Sequence, residues 1–418
     1  MKRLEIFARI IILLLIAVIA CCAKPKVVRE PIIVPPEKME KLPEVDRPFL
    51  VPEVDRYALG CVLPLSGPYA ELGNKALDAI LLSAGMFDEK NKSLWKVIVQ
   101  DSRGLPQETR TAIEHLANTK NVIAIIAVTG TAEALEAARE AEKARVPLIL
   151  ITSKEGVSLG SEYVFQHFLT PTQQVRAVVS YAINDMNCAI FSALYPDDDY
   201  GQEMIKIFRE EVARLGGKVE RVIPYGKKQT DFTSEINKLT NNQVAVAKKS
   251  AAKKTEVPKR IEVNFEALFI PDSYRRVQLI ASQLAFYDVR GVKLLGTSLW
   301  NSPYLLKKGA QYLEGAVFVD SFFPYAFYRE TNDFIDIYYT AYGRDPENIE
   351  ALAYDTAGII FNTIETKGIQ TRQELVSSLM GTENYHGATG TVSFGYDRVA
   401  HKTPFILQIK NGKLEQMK

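Results

Sequence analysis

The first residues with recognisable chemistry are Ser66 and Tyr69, in and just after the polar loop Pro64-Leu-Ser-Gly-Pro68. The apolar run Tyr57–Leu63 precedes the loop and suits a strand buried on both faces. Beyond it Leu77, Ile80, Leu81, Ala84 and Phe87 recur at helical spacing. The unit therefore reads strand, loop, helix. In an open α/β sheet, ligands bind beyond the carboxyl ends of the strands, which puts Ser66 and Tyr69 at a candidate crevice. The plainer reading is a βα turn that binds nothing. Catalytic chemistry finds no support. The four histidines, His115, His167, His386 and His401, are not spaced with Cys, Asp or Glu as a metal cluster. There is no P-loop, no G-x-S-x-G elbow and no paired-acid motif. Cys61 and Cys188 lie in separate apolar runs and read as buried, unpaired thiols.

The elements that position these residues form a sustained alternation. Strands are expected at Trp95–Val99, Asn121–Val128, Pro147–Ile151, Ala189–Tyr195, Lys218–Pro224, Ala267–Ile270, Val292–Leu295 and Val317–Val319. Helices are expected between them, notably Glu108–Asn118, Ala132–Ala144, Tyr200–Leu215 and Ser273–Phe286. Late helices are expected at Thr331–Tyr342 and Glu350–Thr366, and Thr371-Arg-Gln-Glu374 reads as a capping box opening another. Thr391–Phe394 and Pro404–Lys410 suit late strands. Such alternation implies mostly parallel sheets with helices on both faces. The chain has 418 residues, too many for one compact core and suited to two lobes. Its net charge of +1 gives no argument for nucleic acid as a partner.

The N-terminus reads as a targeting segment, residues 1–20. Lys2, Arg3 and Arg9 precede the uncharged apolar core Ile10–Ala20, and small residues end it. The cysteine that follows resembles the lipobox of bacterial lipoproteins, which makes Cys21 the acylated first residue of the mature chain. Residues 21–56, rich in Pro, Val, Glu and Lys, read as an extended tether. Asn242–Arg260 carries five lysines and one arginine against one glutamate and reads as an exposed basic insertion, with a docking patch for anionic polymer as the alternative.

Five stretches in order resemble the type I periplasmic binding proteins, the leucine/isoleucine/valine-receptor class of ABC-transporter solute receptors. They are Leu63-Pro-Leu-Ser-Gly-Pro-Tyr-Ala-Glu-Leu-Gly73, Ala144-Arg-Val-Pro-Leu-Ile149, Tyr195-Pro-Asp-Asp-Asp-Tyr-Gly201, Glu350-Ala-Leu-Ala-Tyr-Asp355 and Tyr385-His-Gly-Ala-Thr-Gly390. The segments Val164–Pro171 and Leu294–Asn301 look more like lipoprotein activators of penicillin-binding proteins, which carry a domain of the same fold. The resemblance implies two Rossmann-like α/β lobes with parallel central sheets. Lobe 1 would comprise 57–170 and 325–385, and lobe 2 would comprise 171–324 and 386–418. Three crossings, near 170–173, 320–325 and 385–388, would form the hinge.

By position, the same resemblance assigns ligand contacts to Ser66, Tyr69, Thr129, Gly130, Thr131, Thr152 and Ser153 in the first lobe. Ser273 or Tyr274, with Ser298 and Trp300, would face them from the second. Hydroxyls and backbone N–H groups can hold a carboxylate without a fixed positive charge. Amino-acid receptors of this class also place an acid in the second lobe for the α-ammonium, where this chain has Ser298. An ammonium buried without a carboxylate is costly, and Asp320 or Glu155 are the candidate substitutes. The implied function is a non-enzymatic, lipid-anchored periplasmic receptor. It captures an amino acid or small carboxylate for an ABC permease and needs no cofactor or metal. The alternative is a regulatory lipoprotein whose partner is a peptidoglycan synthase.

Overall fold

The computed structural model describes residues 53–87, 92–241, 243, 261–307 and 309–417. The targeting segment, Cys21, the tether up to residue 52 and nearly all of the basic insertion lie outside the described residues. The first lobe is built on strands β1 (Asp55–Leu63), β2 (Lys96–Asp101), β3 (Val122–Val128), β4 (Leu148–Ile151) and β5 (Val164–Gln166). They form one parallel sheet in the order β2-β1-β3-β4-β5. Every residue of β3 is buried, as expected of a central strand covered by helices on both faces. Helices α1 (Ala70–Ser83), α2 (Pro106–Asn118) and α3 (Thr131–Ala144) return the chain between strands.

The chain then passes through residues 167–170 into the second lobe. There it runs α4 (Pro171–Asn184), β6 (Ile190–Pro196), α5 (Asp199–Arg214), β7 (Lys218–Tyr225), α6 (Thr233–Leu239), β8 (Ala267–Phe269), α7 (Tyr274–Phe286), β9 (Lys293–Gly296) and β10 (Val317–Asp320). Residues 321–328 lead back to α8 (Arg329–Tyr342), α9 (Asn348–Lys367) and α10 (Arg372–Met380). These are followed by the short strands β11 (Tyr385–Gly387), β12 (Gly390–Phe394) and β13 (Ala400–Lys402). The last strands, β14 (Phe405–Lys410) and β15 (Lys413–Gln416), complete a seven-stranded sheet ordered β15-β14-β10-β9-β8-β6-β7. Asn411 and Gly412 both have positive φ, which suits the tight turn between these two antiparallel strands.

The third crossing differs from the expectation. The sequence reading sets it near 385–388 and gives 386–418 to lobe 2. In the structure β11, β12 and β13 form their own antiparallel sheet. Its apolar residues Ala388, Val392, Phe394 and Ala400 pack into the core that holds Leu59, Ile126 and Phe165 of the first lobe. The chain enters the second sheet only at Phe405. Burying those four side chains with lobe 1 decides the boundary.

The crossings are joined by a buried polar network. Lys402 Nζ donates to His167 Nε2 at 3.0 Å and to the Thr389 hydroxyl. The Thr356 hydroxyl donates to the Leu352 carbonyl at 2.6 Å, so it accepts from His167 Nδ1 at 2.8 Å. That fixes the Nδ1–H tautomer and leaves Nε2 as acceptor. Burial, and then the Lys402 charge, push the His167 pKa well below its ordinary value. Asp355 accepts from Ala388 N at 2.7 Å, Thr389 N at 2.8 Å and the Thr389 hydroxyl. Burial lowers Lys402 to about 8, opposed by the Asp355 and Asp320 carboxylates. His167 belongs to the first crossing and Lys402 to the third.

Candidate functional site

Strand register brings the candidate loops of the first lobe together. Val128 pairs with Ile151, so Thr129 and Thr152 leave adjacent strand ends side by side, and Thr129 N donates to the Ile151 carbonyl at 3.2 Å. The Thr129 hydroxyl oxygen is buried and has no hydrogen-bond partner among the described residues. Gly130 and Thr131 are exposed at the start of α3, which has no side-chain cap. Thr152 is buried; its hydroxyl accepts from Lys154 N at 3.3 Å and its carbonyl from Gln166 Nε2 at 2.7 Å. Ser153 beside it is exposed.

On the other side of β3, Leu63 pairs with Asp101. The Ser66 hydroxyl donates to Asp101 Oδ2 at 2.6 Å. Asp101 Oδ1 accepts from the backbone N–H groups of Leu65 and Arg103, both at 2.9 Å. Burial opposes, but these hydrogen bonds hold the Asp101 carboxyl below its ordinary pKa. Ser66 is thus committed to bracing its own loop. Tyr69 is 57% exposed, and its ring lies over Gly104, where an added Cβ would come within 3.0 Å of Cδ2. Gly73 is required by a close approach, because a Cβ there would strike the Pro64 carbonyl. The second lobe repeats this device with Gly201 against the Pro196 carbonyl.

In the second lobe, Asp198 caps α5 by accepting from Gly201 N at 3.0 Å. Tyr200, in the first turn, sets its hydroxyl 3.4 Å from the Thr297 hydroxyl. Burial pushes the Tyr200 pKa up to about 12. Ser298 N donates to Gln174 Oε1 at 3.0 Å. Ser273 starts α7, and its N–H is bound by Asp272, which also accepts from the Tyr225 hydroxyl at 2.8 Å. Tyr274 stacks on Tyr304 with centroids 6.2 Å apart.

Trp300 does not line the cleft. It is fully buried, packs on Phe318 with centroids 5.9 Å apart, and its indole N–H donates to the Ile270 carbonyl at 3.0 Å. Gly296 leaves the space that its ring fills. A large ring with its one donor satisfied is core. Neither candidate substitute acid is free. Glu155 accepts from Thr172 N at 2.7 Å and from its hydroxyl at 2.9 Å, bracing the start of α4. Asp320 accepts from Asn301 Nδ2 at 2.7 Å, from Ser321 N at 2.6 Å and from the Asn348 amide. Burial pushes its pKa up to about 7 against those hydrogen bonds.

Sequence reasoning passed over Tyr200 and Thr297 as site residues. Tyr200 carried a signal: it follows Pro196 in a strand–Pro–loop–helix unit of the same build as the one that presents Tyr69 after Pro64. A groove of about 380 Å³ beside α9 and β11, reaching from Asn362 to His386, includes none of the strand-end residues. Among the described residues no group of three or more His, Cys, Asp or Glu could hold a metal ion. Cys61 and Cys188 are buried free thiols.

Residues 57–413 match the family model described as periplasmic binding protein, and the chain belongs to that family. Solved structures share the fold. A putative branched-chain amino acid ABC transporter protein from Rhodospirillum rubrum superposes with a TM-score of 0.75 at 20% identity, covering 87% of this chain and 100% of its own. The branched-chain amino acid transporter substrate binding protein from Streptococcus pneumoniae, solved with isoleucine, gives 0.65 at 22% identity, covering 86% and 98%. A solute binding protein of an ABC transporter from Rhodopseudomonas palustris, solved with 3,4-dihydroxybenzoic acid, gives 0.66 at 20% identity, covering 86% and 95%. No curated protein gave a significant match.

Proposed function

We propose that the protein is an extracytoplasmic solute-binding protein that captures an amino acid or similar small carboxylate between its lobes for an ABC transporter. One observation carries the reading. The adjacent ends of β3 and β4 present a buried Thr129 hydroxyl with no partner among the described residues, next to the exposed Thr131 and Ser153. A buried hydroxyl left unpaired costs free energy that a bound ligand recovers. Gly130, the Thr152 loop and Tyr69 complete the first wall; Tyr200, Ser273 and Ser298 form the second. The ligands of the similar proteins, isoleucine and 3,4-dihydroxybenzoic acid, both carry a carboxylate. In this reading Cys21 carries the lipid and the residues between it and β1, which begins at Asp55, tether the lobes to the membrane.

The test is calorimetry on protein refolded from denaturant, so that carried-over ligand is lost, against amino acids and small carboxylates. Binding at micromolar affinity or tighter, about −8 kcal/mol, supports the reading. Absence of binding across the panel sinks it and turns attention to a peptidoglycan synthase as partner.

A further inference from the structure

Beside the second crossing a buried carboxylate joins the two lobes. Asp320 ends β10 of the second lobe and is 2% exposed. On one side it accepts from Asn301 Nδ2 at 2.7 Å, just after the Ser298–Trp300 turn of its own lobe. On the other it accepts from the amide of Asn348, the first residue of α9, a helix packed into the core of the first lobe. A second bond runs alongside, from the Ser321 hydroxyl to Asn348 Oδ1 at 3.0 Å. The Ser321 N–H completes the set at 2.6 Å. These partners are all neutral, and a carboxylate buried among neutral donors keeps much of its desolvation cost. The charges around it are engaged elsewhere. Lys402 on β13 feels its field but donates to His167 and Thr389. Asp355 of α9 is held by Ala388 and Thr389. Glu347, beside Asn348, pairs with Lys75 at 3.0 Å, and Arg176 of α4 turns to Glu211 at 3.8 Å.

The same groups can serve both forms of the acid. With Asp320 ionised, Asn348 Nδ2 donates to it. With Asp320 protonated, a reversed Asn348 amide accepts that proton at Oδ1 and donates through Nδ2 to the Ser321 hydroxyl oxygen. The bridge is kept either way, but only the ionised form gains by meeting water. We propose that this bridge is a proton-gated clasp between the lobes, which holds while Asp320 is protonated and yields when Asp320 is ionised, as the lobes part and water reaches the carboxylate. Burial holds the Asp320 carboxyl up at about 7, against about 4 for a hydrated one. A group whose pKa is higher in one state favours that state at low pH. Closure is therefore favoured by acid, and the advantage is lost as pH rises from about 4 through about 7. The clasp acts on the hinge whichever solute the cleft takes, so it stands apart from the reading above.

The test measures lobe separation without ligand. Spin labels are attached, after refolding from denaturant, to the exposed positions Glu114→Cys in α2 and Arg209→Cys in α5. The native thiols Cys61 and Cys188 are buried. Pulsed electron paramagnetic resonance reads the distances. The ratio of long-distance to short-distance populations is expected to rise about tenfold between about pH 6 and about pH 8. Asp320→Asn keeps the shape and cannot ionise, so its ratio should change by less than about twofold over the same range. Asn348→Ala removes the first lobe's half of the bridge, and the long distance should predominate at both pH values. His167 is present in all three proteins, so the difference between them reports on Asp320. A wild-type ratio that is constant or falls overturns the clasp, as does an Asp320→Asn protein that follows the wild-type change. Should Asp320→Asn fail to fold, Asn348→Ala decides: a pH response as large as that of wild type overturns the proposal.

Discussion

The hinge and the cleft wall treat polar groups in opposite ways. Around Lys402, charged and polar side chains are paired within the protein: ammonium to imidazole, imidazole to threonine, threonine to carboxylate. At the end of β3, the Thr129 hydroxyl is buried with no partner among the described residues. Pairing buried polar atoms helps a region keep its shape, although Gln166 Oε1, next to His167, is itself buried without a partner among the described residues. A region that must accept a guest keeps some unsatisfied. The contrast separates residues whose loss should cost stability from residues whose loss should cost affinity.

The largest expected effect breaks the core that carries the second wall. Trp300→Ala should destabilise the protein by about 4 kcal/mol through the cavity it leaves, measured by denaturant unfolding. Affinity normalised to folded protein should stay near wild type, and a selective loss of binding would return Trp300 to the cleft. Lys402→Met should cost about 3 kcal/mol, because the Asp355 carboxylate is left buried without its cation.

The hinge should also show a pH signature. His167 is held neutral, with a folded pKa far below the unfolded one near 6.5. Its contribution is present above that unfolded value and is lost as pH falls below it. Asp320 works in the other direction. Its folded pKa is raised to about 7, so its contribution is present at low pH and declines as pH rises through the carboxylate range. Comparing wild type with His167→Gln isolates the histidine. The stability advantage of wild type should shrink between about pH 7.5 and about pH 5, and a constant difference would refute the buried neutral imidazole.

Smaller effects sharpen the cleft side. Thr131→Ala should weaken ligand binding by about tenfold with little change in melting temperature. Ser66→Ala should do the reverse, costing about 1 kcal/mol of stability through the lost Asp101 contact and leaving affinity within about threefold of wild type.

Much of the fold was legible because its signals are local. Central strands such as Val122–Val128 are continuous apolar runs, and the Thr371 capping box opens α10 as read. Helix α4 was passed over, although Thr170-Pro-Thr-Gln173 is itself a capping box with proline at the first helical position. The third crossing lies later than expected because β11 and β13 are only three residues long and β12 alternates buried and half-buried residues whichever lobe it joins; only the partner surface decides. Trp300 shows the same limit at the site. An aromatic in a strand-end loop suits a cleft and a core equally, and Gly296, four residues earlier, makes the room that draws it inward. Ser66 and Thr129 are both hydroxyls after a strand, yet one is spent and one is open. That difference comes from Asp101, 35 residues away from Ser66.

The link between His167 and Lys402 also bears on how the lobes can move. Three separate strands of chain between two bodies permit bending and twisting about several axes. Here the first and third are fastened to each other by one hydrogen bond, and Asn348 at the start of α9 fastens the end of β10 beside the second. Fastened at these two points, the three segments are restrained from twisting independently of one another.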